Sequence, residues 1–413
     1  MSFFPLPNLS DCKPPIAREI TPIRAGHINS SIPSSEMRFV QLFLLPILAA
    51  AWLSACTALP PSAHSVSQSM EFVQVDKSTR QFILSRSRKA FTPWGFNYDH
   101  DSSGRLLETY WDKDWPAVER NFQEMKNMGA TTVRIHLQIC SFMVSETETN
   151  PASLKKLSQL VSLAEKTGLY LDLTGLAAYD KKAVPAWYNQ LSEKKRWATQ
   201  ARFWTAVARA CHQSPAIFCY DLMNEPIVND DKTNHDWTPG ELGGFSYVQR
   251  LTLDFAGRNE KQIAKAWVDQ MVTAIHQVDS RHLVTVGAIP WALTYANAKP
   301  LFYSPEVSQN LDFVSLHFYP KKGQIDKALN ALAVYDIGKP IVIEEMFPLG
   351  CSAQELDQFI DGSRPLARGW IGFYWGKSIS DYQKDTANLS SSITAAWLEY
   401  FVQKSPAILN QHP

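Results

Sequence analysis

The stretch IFCYDLMNEP, residues 217–226, is a short apolar run that ends in a glutamate, Glu225, followed by a proline. A second run, KPIVIEE, spans residues 339–345 and ends in two glutamates. Apolar runs of this length are typical of strands that are buried on both faces of a parallel sheet. Each stretch therefore predicts a strand with a carboxylic acid at its carboxyl end.

Outside these two runs, the chain alternates strand-like and helix-like segments up to its carboxyl end. The predicted strands are residues 91–97, 132–137, 170–174, 217–223, 283–287, 313–318, 340–345 and 370–375. Strands that alternate with helices predict a parallel sheet, and eight such units fit a closed barrel whose functional groups lie at the carboxyl ends of the strands. We therefore predict an α/β fold, a (β/α)8 TIM barrel, as a single catalytic domain over residues 70–410.

A doubly wound open sheet is the rival architecture. It would be expected to carry a glycine-rich phosphate-binding turn after its first strand. The chain instead reads Trp94-Gly95-Phe96-Asn97 there, which favours the barrel.

The composition limits the choice of partners. The chain has 413 residues, with 40 Lys and Arg against 40 Asp and Glu, and it is 45% hydrophobic with 13 Trp. A formal charge of zero without a basic cluster argues against a nucleic-acid partner, because phosphate binding depends on clustered positive charge. Abundant tryptophan instead favours a neutral, sugar-like ligand.

The first 69 residues resemble an export segment. An apolar run follows Met37 and Arg38, and it ends in Leu-Ser-Ala-Cys at Cys56, which resembles a bacterial lipobox. We predict an upstream extension over 1–36, a lipoprotein signal peptide over 37–56 and a tether over 57–69. Lipidation of Cys56 would anchor an exported protein in a membrane, facing the periplasm or the cell surface.

An uncleaved membrane helix is the alternative for this segment. The run is at the short end of the roughly 20 residues that span a bilayer. It also contains Pro46 and Gln41.

Four cysteines remain after the signal segment, at positions 140, 211, 219 and 351. They form no C-x-x-C spacing, so a structural zinc site is not indicated, and burial among apolar residues is their default role. We predict no metal and no cofactor.

The two carboxylic acids at strand ends indicate glycoside hydrolysis. Such reactions use a pair of Asp or Glu residues, one to protonate the departing oxygen and one to attack the sugar or activate water. Two other classes remain open: a surface lipoprotein that binds glycans without cleaving them, and a metal-dependent barrel hydrolase that uses His136, His317 and an acid. The metal class lacks the H-x-H or H-E-x-x-H arrangement that often fixes its ligands.

Four motifs, in order, resemble glycoside hydrolase family 5, the cellulase-like retaining glycosidases, over residues 91–375. They are VRIH with Arg134, LMNEP with Glu225, LHFYP with His317 and KPIVIEE with Glu345. The resemblance implies that Glu225 is the acid/base and Glu345 the nucleophile of a double displacement. It also implies a β-linked polysaccharide or oligosaccharide as substrate, with β-1,4-glucan or mannan first.

The motifs supply candidates for substrate binding. Asn224 is placed to donate to the sugar 2-hydroxyl, and Trp375 resembles the family's stacking platform beneath the sugar. Arg134 and Tyr319 are the predicted partners of Glu345. Residues two positions apart on a strand share a face, so His317 lies on the same face as Tyr319, and His136 on the same face as Arg134. The weaker aromatic candidates are Trp94, Trp111, Trp237 and Trp291.

Three details remain open in the sequence. Alternation groups Ile341, Ile343 and Glu345 on one strand face, which favours Glu345 as the nucleophile and leaves Glu344 as the alternative. Thr174 stands where many relatives of the family carry a histidine. Residues 227–258 form a long excursion, predicted to sit above the catalytic face. If it closed one end of the groove, it would make the enzyme exo-acting or oligosaccharide-specific.

Overall fold

The structure is a computed structural model that describes residues 70–385 and 388–410. The predicted extension, signal peptide, tether and lipidated Cys56 lie outside the described residues. No helix in the described part of the chain has both the length and the apolar character needed to cross a membrane.

Eight parallel strands form a closed barrel, and each lies within or overlaps one of the eight predicted segments. In barrel order they are β4 (Trp94–Asn97), β5 (Thr132–Gln138), β6 (Tyr170–Ala177), β7 (Ile217–Asn224), β10 (Leu283–Ala288), β11 (Val314–His317), β12 (Ile341–Glu345) and β13 (Ala367–Phe373). Strand β13 pairs with β4 and closes the ring. The predicted (β/α)8 barrel is confirmed.

Twelve α-helices lie in the described residues. Most of the long ones connect successive barrel strands, and the last and longest follows the final strand. They are α1 (Leu107–Tyr110), α2 (Trp115–Asn127), α3 (Ile139–Phe142), α4 (Pro151–Thr167), α5 (Ala186–Asn189), α6 (Glu193–Cys211), α7 (Glu260–His276), α8 (Trp291–Thr294), α9 (Ile325–Ala333), α10 (Ala353–Ser363), α11 (Ile379–Lys384) and α12 (Leu389–Leu409).

The ends of these helices follow local sequence signals. The Asn150 side chain accepts from the Ala152 N–H at the start of α4, and Gly168 ends that helix with a left-handed φ of 67°. Helix α7 begins with a capping box between Asn259 and Gln262. Such caps fix where each helix returns the chain to the barrel.

A small antiparallel sheet precedes the barrel and was not predicted from the sequence. It consists of β1 (Val73–Asp76), β2 (Gln81–Leu84) and β3 (Ala90–Phe91). The Phe82 ring contacts Phe218 and Phe313, which lie at the amino ends of barrel strands, with centroids 5.1 and 5.3 Å away. This sheet therefore closes the amino end of the barrel with aromatic side chains.

The longest excursion follows β7. It contains two short strands, β8 (Pro226–Ile227) and β9 (Gln249–Arg250), which pair in parallel. This pairing returns the chain to the place where it left the barrel, so the residues between them form one looped segment at the carboxyl end of β7.

Candidate active site

The two glutamates predicted at strand ends come together at the carboxyl end of the barrel. Glu225 directly follows β7, and Glu345 is the last residue of β12. One carboxylate oxygen of each, together with a ring nitrogen of His317, lie within 4.8 Å of one another. Carboxyl groups of retaining glycosidases lie about 5–5.5 Å apart, whereas inverting enzymes need roughly 6.5–9.5 Å. The spacing fits the retaining class.

Glu225 is held in an unusual backbone conformation. Its φ is +46°, and its N–H donates to the Gly287 carbonyl at 2.8 Å. A left-handed conformation at a residue other than glycine costs roughly 1–2 kcal/mol, and such strain is concentrated at functional sites. The carboxylate is 18% exposed and accepts from His317 Nδ1 at 2.9 Å.

Glu345 accepts two hydrogen bonds from the partners that the sequence predicted. The Tyr319 hydroxyl donates to Oε2 at 2.6 Å, and Arg134 Nη1 donates to Oε1 at 2.7 Å. Both bonds fix the orientation of the carboxylate, which remains 11% exposed.

The strand alternation that grouped Glu345 with Ile341 and Ile343 is wrong. Both isoleucines pack in the main hydrophobic core, whereas Glu344 and Glu345 both contact Arg134. The register between β11 and β12 shifts at this point, because Leu316 pairs with Ile343 but His317 pairs with Glu345. A bulge of one residue thus brings two successive glutamates to the same side of the strand.

Glu344 lies deeper than Glu345 and has a different environment. It is fully buried, with Oε2 3.4 Å from Arg134 Nη2 and 3.4 Å from His317 Nε2. Burial opposes ionisation, but the charges of Arg134 and His317 lower the pKa of Glu344 to about 2. It is therefore a buried counter-ion beneath the mouth of the barrel.

Arg134 is the centre of this charged cluster. Its side chain is fully buried, and its two terminal nitrogens donate to Asn97, Asp221, Asn224 and Glu345 at 2.7–3.0 Å. A planar guanidinium presents several donors in a fixed geometry, so one side chain orients acidic and amide groups from three strands.

Two further acids in the barrel interior were missed by sequence reasoning. Burial and the Glu344 charge raise the pKa of Asp221 to about 6, and the same two causes hold that of Asp172 well above its usual range. The available signal was a single acidic residue inside an apolar strand, as in YLDLT and IFCYDLM.

Thr174 occupies the predicted place of the missing histidine. Its hydroxyl donates to Asp221 Oδ2 at 2.8 Å, which links β6 to the charged cluster. Gly287 was also missed. A Cβ there would lie 2.7 Å from Glu344 Oε2 and 2.9 Å from both Arg134 Nη2 and Asp221 Oδ2. The cluster therefore requires glycine on β10.

His317 lies between the buried Glu344 on one side and Glu225 and Glu345 on the other. Although burial disfavours the imidazolium, the carboxylates of Glu345, Glu225 and Glu344 raise the pKa of His317 to about 10. The ring is therefore positively charged at neutral pH. It holds a proton at Nδ1 against Glu225 and another at Nε2 towards Glu344.

His136 is neutral and lies beside the charged cluster. Burial and the Arg134 charge hold the pKa of His136 well below its usual range. The contacts assign the tautomer: Nε2 donates to Asn97 Oδ1 at 3.2 Å, and Nδ1 accepts from the Tyr179 hydroxyl. Both ring nitrogens are thus used, and His136 does not join His317 as the metal-hydrolase alternative required.

The remaining predicted residues lie around this cluster. Asn224 is buried, accepts from Arg134 and donates from Nδ2 to the Tyr247 carbonyl at 3.1 Å. The partly buried Trp375 packs against Phe373 and Phe347, with centroids 5.4 and 5.3 Å away.

The weaker aromatic candidates divide into two groups. Trp94, Trp111 and Trp237 are at most 4% exposed and therefore pack inside the protein. Trp291, at the start of α8 after β10, is 40% exposed.

Glu225, His317 and Glu345 are also the described residues whose oxygen and nitrogen atoms converge closely enough to hold a metal ion. Two carboxylates and an imidazole suit zinc chemically, but the protonated His317 occupies the space between the acids. A metal would have to displace that proton.

The chain matches the family described as cellulase (glycosyl hydrolase family 5) over residues 96–360. Among curated proteins, mannan endo-1,4-β-mannosidase A of Podospora anserina is 26% identical over 337 residues, covering 74% of this chain and 74% of the fungal enzyme.

Two solved structures share the fold. An exo-β-1,4-mannosidase of Opitutaceae bacterium strain TAV5 aligns with a TM-score of 0.59 and 16% identity, over 81% of this chain and 62% of that chain. An endo-1,4-β-mannanase of Rhizomucor miehei aligns with a TM-score of 0.52 and 17% identity, over 81% of this chain and 100% of that chain. With the family match over most of the barrel, the chain belongs to glycosyl hydrolase family 5 and is a retaining glycoside hydrolase.

Proposed function

We propose that Glu225 is the general acid/base and Glu345 the nucleophile, and that the substrate is a β-1,4-linked mannan or manno-oligosaccharide. One observation carries the assignment of roles. Arg134 and Tyr319 both donate to Glu345 and fix it in place, whereas Glu225 is more exposed, at 18% against 11%, and has His317 as its one side-chain hydrogen-bond partner among the described residues. A nucleophile needs a stable charge, and an acid needs access to a proton.

In the first step, a Glu345 oxygen attacks the anomeric carbon while the bond to the departing oxygen breaks. Glu225 gives its proton to that oxygen, so the aglycone leaves as an alcohol. In the second step, Glu225 takes a proton from water, whose oxygen attacks the anomeric carbon and releases Glu345. Two displacements restore the original anomeric configuration.

The cluster below the mouth prepares these steps. Arg134 and His317 supply positive charge, and the buried Glu344 fixes both groups from beneath. Preorganised charges of this kind stabilise a transition state because they need no reorganisation during reaction. Trp375 would stack on the sugar, and Asn224 would donate its second amide hydrogen to the 2-hydroxyl.

The choice of mannan is supported by the names of the relatives, which include endo- and exo-acting mannosidases.

A trapping experiment tests the roles. A 2-deoxy-2-fluoro-β-mannosyl donor should leave a glycosyl group on the nucleophile, and we expect mass spectrometry to locate it on Glu345. Glu225→Gln and Glu345→Gln should each lower kcat on mannohexaose by at least about 10³-fold. Glu241→Gln, on the exposed part of the long excursion, is the matched control and should keep full activity.

Three results would contradict the proposal. A label on Glu344 would exchange the roles of the two neighbouring glutamates. Full activity in either site variant would remove the two-carboxylate mechanism, and cleavage of cellohexaose but not mannohexaose would overturn the substrate while leaving the mechanism in place.

We further propose that Cys56 is lipidated and that the exported enzyme is membrane-anchored, facing the periplasm or the cell surface. The support is the Leu-Ser-Ala-Cys sequence after an apolar run. In a bacterial host, labelled palmitate should enter the full chain and not Cys56→Ser, and the variant should lose its membrane fraction. Equal labelling of both proteins would exclude Cys56 as the acceptor.

A further inference from the structure

A continuous row of aromatic rings crosses one half of the barrel mouth. The row runs from the end of β13, past the end of β4, to the end of β6. Its members, which we call the ring wall, are Trp375, His100, Phe245, Tyr247 and Tyr179. Successive centroids lie 5.9, 5.2, 5.9 and 4.7 Å apart. Rings at these distances are in contact and leave no passage for a sugar chain between them.

Two members of the ring wall, Phe245 and Tyr247, come from the excursion after β7. Gly243 and Gly244 form a turn in which both have positive φ, and Leu242 and Phe245 exchange two backbone hydrogen bonds across it. This is the geometry of a tight type I′ hairpin turn, which glycine favours. The turn reverses the chain and directs Phe245 back onto the His100 ring.

The excursion is fixed to the barrel at several points. The Ser246 N–H donates to the Tyr179 carbonyl at 2.9 Å, and Gln249 Nε2 donates to the Leu176 carbonyl at 2.8 Å. Asn224 Nδ2 donates to the Tyr247 carbonyl at 3.1 Å. The ring wall is therefore a built part of the site, connected directly to the residue that precedes Glu225.

A buried carboxylate lies behind the rings. Asp99, two residues after β4, is 3% exposed. Its Oδ2 lies 3.5 Å from the Tyr247 hydroxyl and 3.9 Å from His100 Nε2. Its Oδ1 has no hydrogen-bond partner among the described residues, and neither does the buried indole nitrogen of Trp375. Buried polar atoms are nearly always paired, and Asp99 and Trp375 both neighbour the His100 ring, so this open acceptor and this open donor indicate a polar ligand.

The contact between the ring wall and Trp375 indicates on which side of the cleaved bond the ring wall lies. In the covalent intermediate the sugar on Glu345 is the glycone, and Trp375 is the platform beneath it. Because the ring wall begins at that platform, with the His100 centroid 5.9 Å from that of Trp375, we assign it to the glycone side, away from the leaving group. The other half of the mouth differs, since Trp291 and Tyr295 after β10 are 40% and 41% exposed.

We propose that the ring wall limits the glycone side to a single sugar, whose hydroxyl groups are bound by Asp99 Oδ1 and the Trp375 N–H, so that the enzyme removes one sugar at a time from non-reducing chain ends. The inference rests on the proposed function for its chemistry. A carboxylate oxygen accepts hydrogen bonds from sugar hydroxyls, and an indole N–H donates to them. A chain interior has no free 4-hydroxyl and would collide with Phe245.

Product analysis with the full chain tests this inference. Mannohexaose and cellohexaose, each with a labelled reducing end, are digested separately and followed by mass spectrometry. The expected first products are a monosaccharide and a labelled pentasaccharide. Labelled di-, tri- or tetrasaccharides as first products would overturn the inference.

Variants separate binding from folding. Asp99→Asn should raise KM for the oligosaccharide and lower kcat/KM about 10- to 100-fold, with kcat changed far less. A purely structural Asp99 would instead lower the folded fraction, and therefore kcat, at constant KM. Asp112→Asn, an exposed aspartate in the connection from β4 to α2, is the matched control and should match the wild type.

The rings themselves supply a second, independent test. Phe245→Ala should open the ring wall and produce internal cleavage products that the wild type lacks. An unchanged product pattern in this variant would show that the rings do not limit the site.

The outcomes distinguish the two proposals. Monosaccharide release from cellohexaose alone would keep the end-binding inference and overturn mannan as substrate. Internal cleavage of mannohexaose would keep mannan as substrate and overturn the end-binding inference. No hydrolysis of either oligosaccharide would overturn both proposals.

Discussion

The two ends of the barrel use the same eight strands but contain opposite kinds of side chain. At the amino end, Phe82 and Phe91 pack against Phe218 and Phe313. At the carboxyl end, Arg134 and its acidic partners form a buried charged cluster with Glu344 at its base.

The contrast shows how this fold separates stability from chemistry. Burying apolar rings stabilises the protein, whereas burying charges costs free energy unless each one is paired. The carboxyl end accepts that cost because reactive groups need preorganised charge. Substitutions at the two ends should therefore change different measured quantities.

The largest effect is expected from Arg134→Met at the charged end. Asp221, Glu344 and Glu345 would lose the cation that they share, and removing one partner of a buried ion pair costs about 3–5 kcal/mol. The free energy of unfolding in urea should fall by that amount, and kcat by at least about 10²-fold.

Arg196→Met is the matched control for this variant. Arg196 is equally buried, but its contacts are the Tyr188 carbonyl and the rings of Tyr188 and Trp237. We expect a smaller loss of stability and near-normal kcat. Equal losses in both variants would mean that burial of arginine, and not charge pairing, decides the effect.

Phe82→Ala tests the apolar end. A cavity at a fully buried phenylalanine costs about 3–5 kcal/mol, and no contact of Phe82 reaches the two glutamates. We expect a lower urea midpoint and an unchanged kcat at temperatures where the variant stays folded. A fall in kcat with the protein folded would contradict the separation of the two ends.

His317 should make the stability of the protein depend on pH. Its pKa rises from 6.5 to about 10 on folding, so the folded protein binds a proton more tightly than the unfolded chain. The resulting stabilisation is complete below the lower value and is lost as the pH rises through the upper one.

His317→Gln provides the comparison. The difference in unfolding free energy between wild type and variant should shrink between about pH 6 and about pH 10. Urea titrations of both proteins at the two pH values measure it. A constant difference would show that the imidazole is neutral in the folded protein.

The barrel could be predicted because its strands are apolar runs at regular intervals, and IFCYDLMNEP and KPIVIEE already place both glutamates at strand ends. The sheet at the amino end could not. Its strands VQVD and QFIL are short and partly polar, and they become strands only because Phe82 finds aromatic partners far along the chain.

The family resemblance led to the prediction that Arg134 and Tyr319 are partners of Glu345, and both donate to Glu345 in the structure. The environment of Glu344 was out of reach, because a one-residue bulge leaves no mark in the sequence and reverses the face of every residue after it. The ring wall was equally hidden, since His100 contacts Trp375 and Phe245 although both are far from it along the chain.

The excursion after β7 leaves and rejoins the barrel through one short strand pair, Pro226–Ile227 with Gln249–Arg250. The barrel ladder therefore does not depend on what lies between these strands, and doubling the length of such a loop costs only about 0.6 kcal/mol in closure entropy. In evolutionary terms the segment is an exchangeable module. A lineage could acquire, shorten or lose it in a single insertion or deletion. The range of glycans bound would then change while the catalytic residues on the barrel strands stay the same.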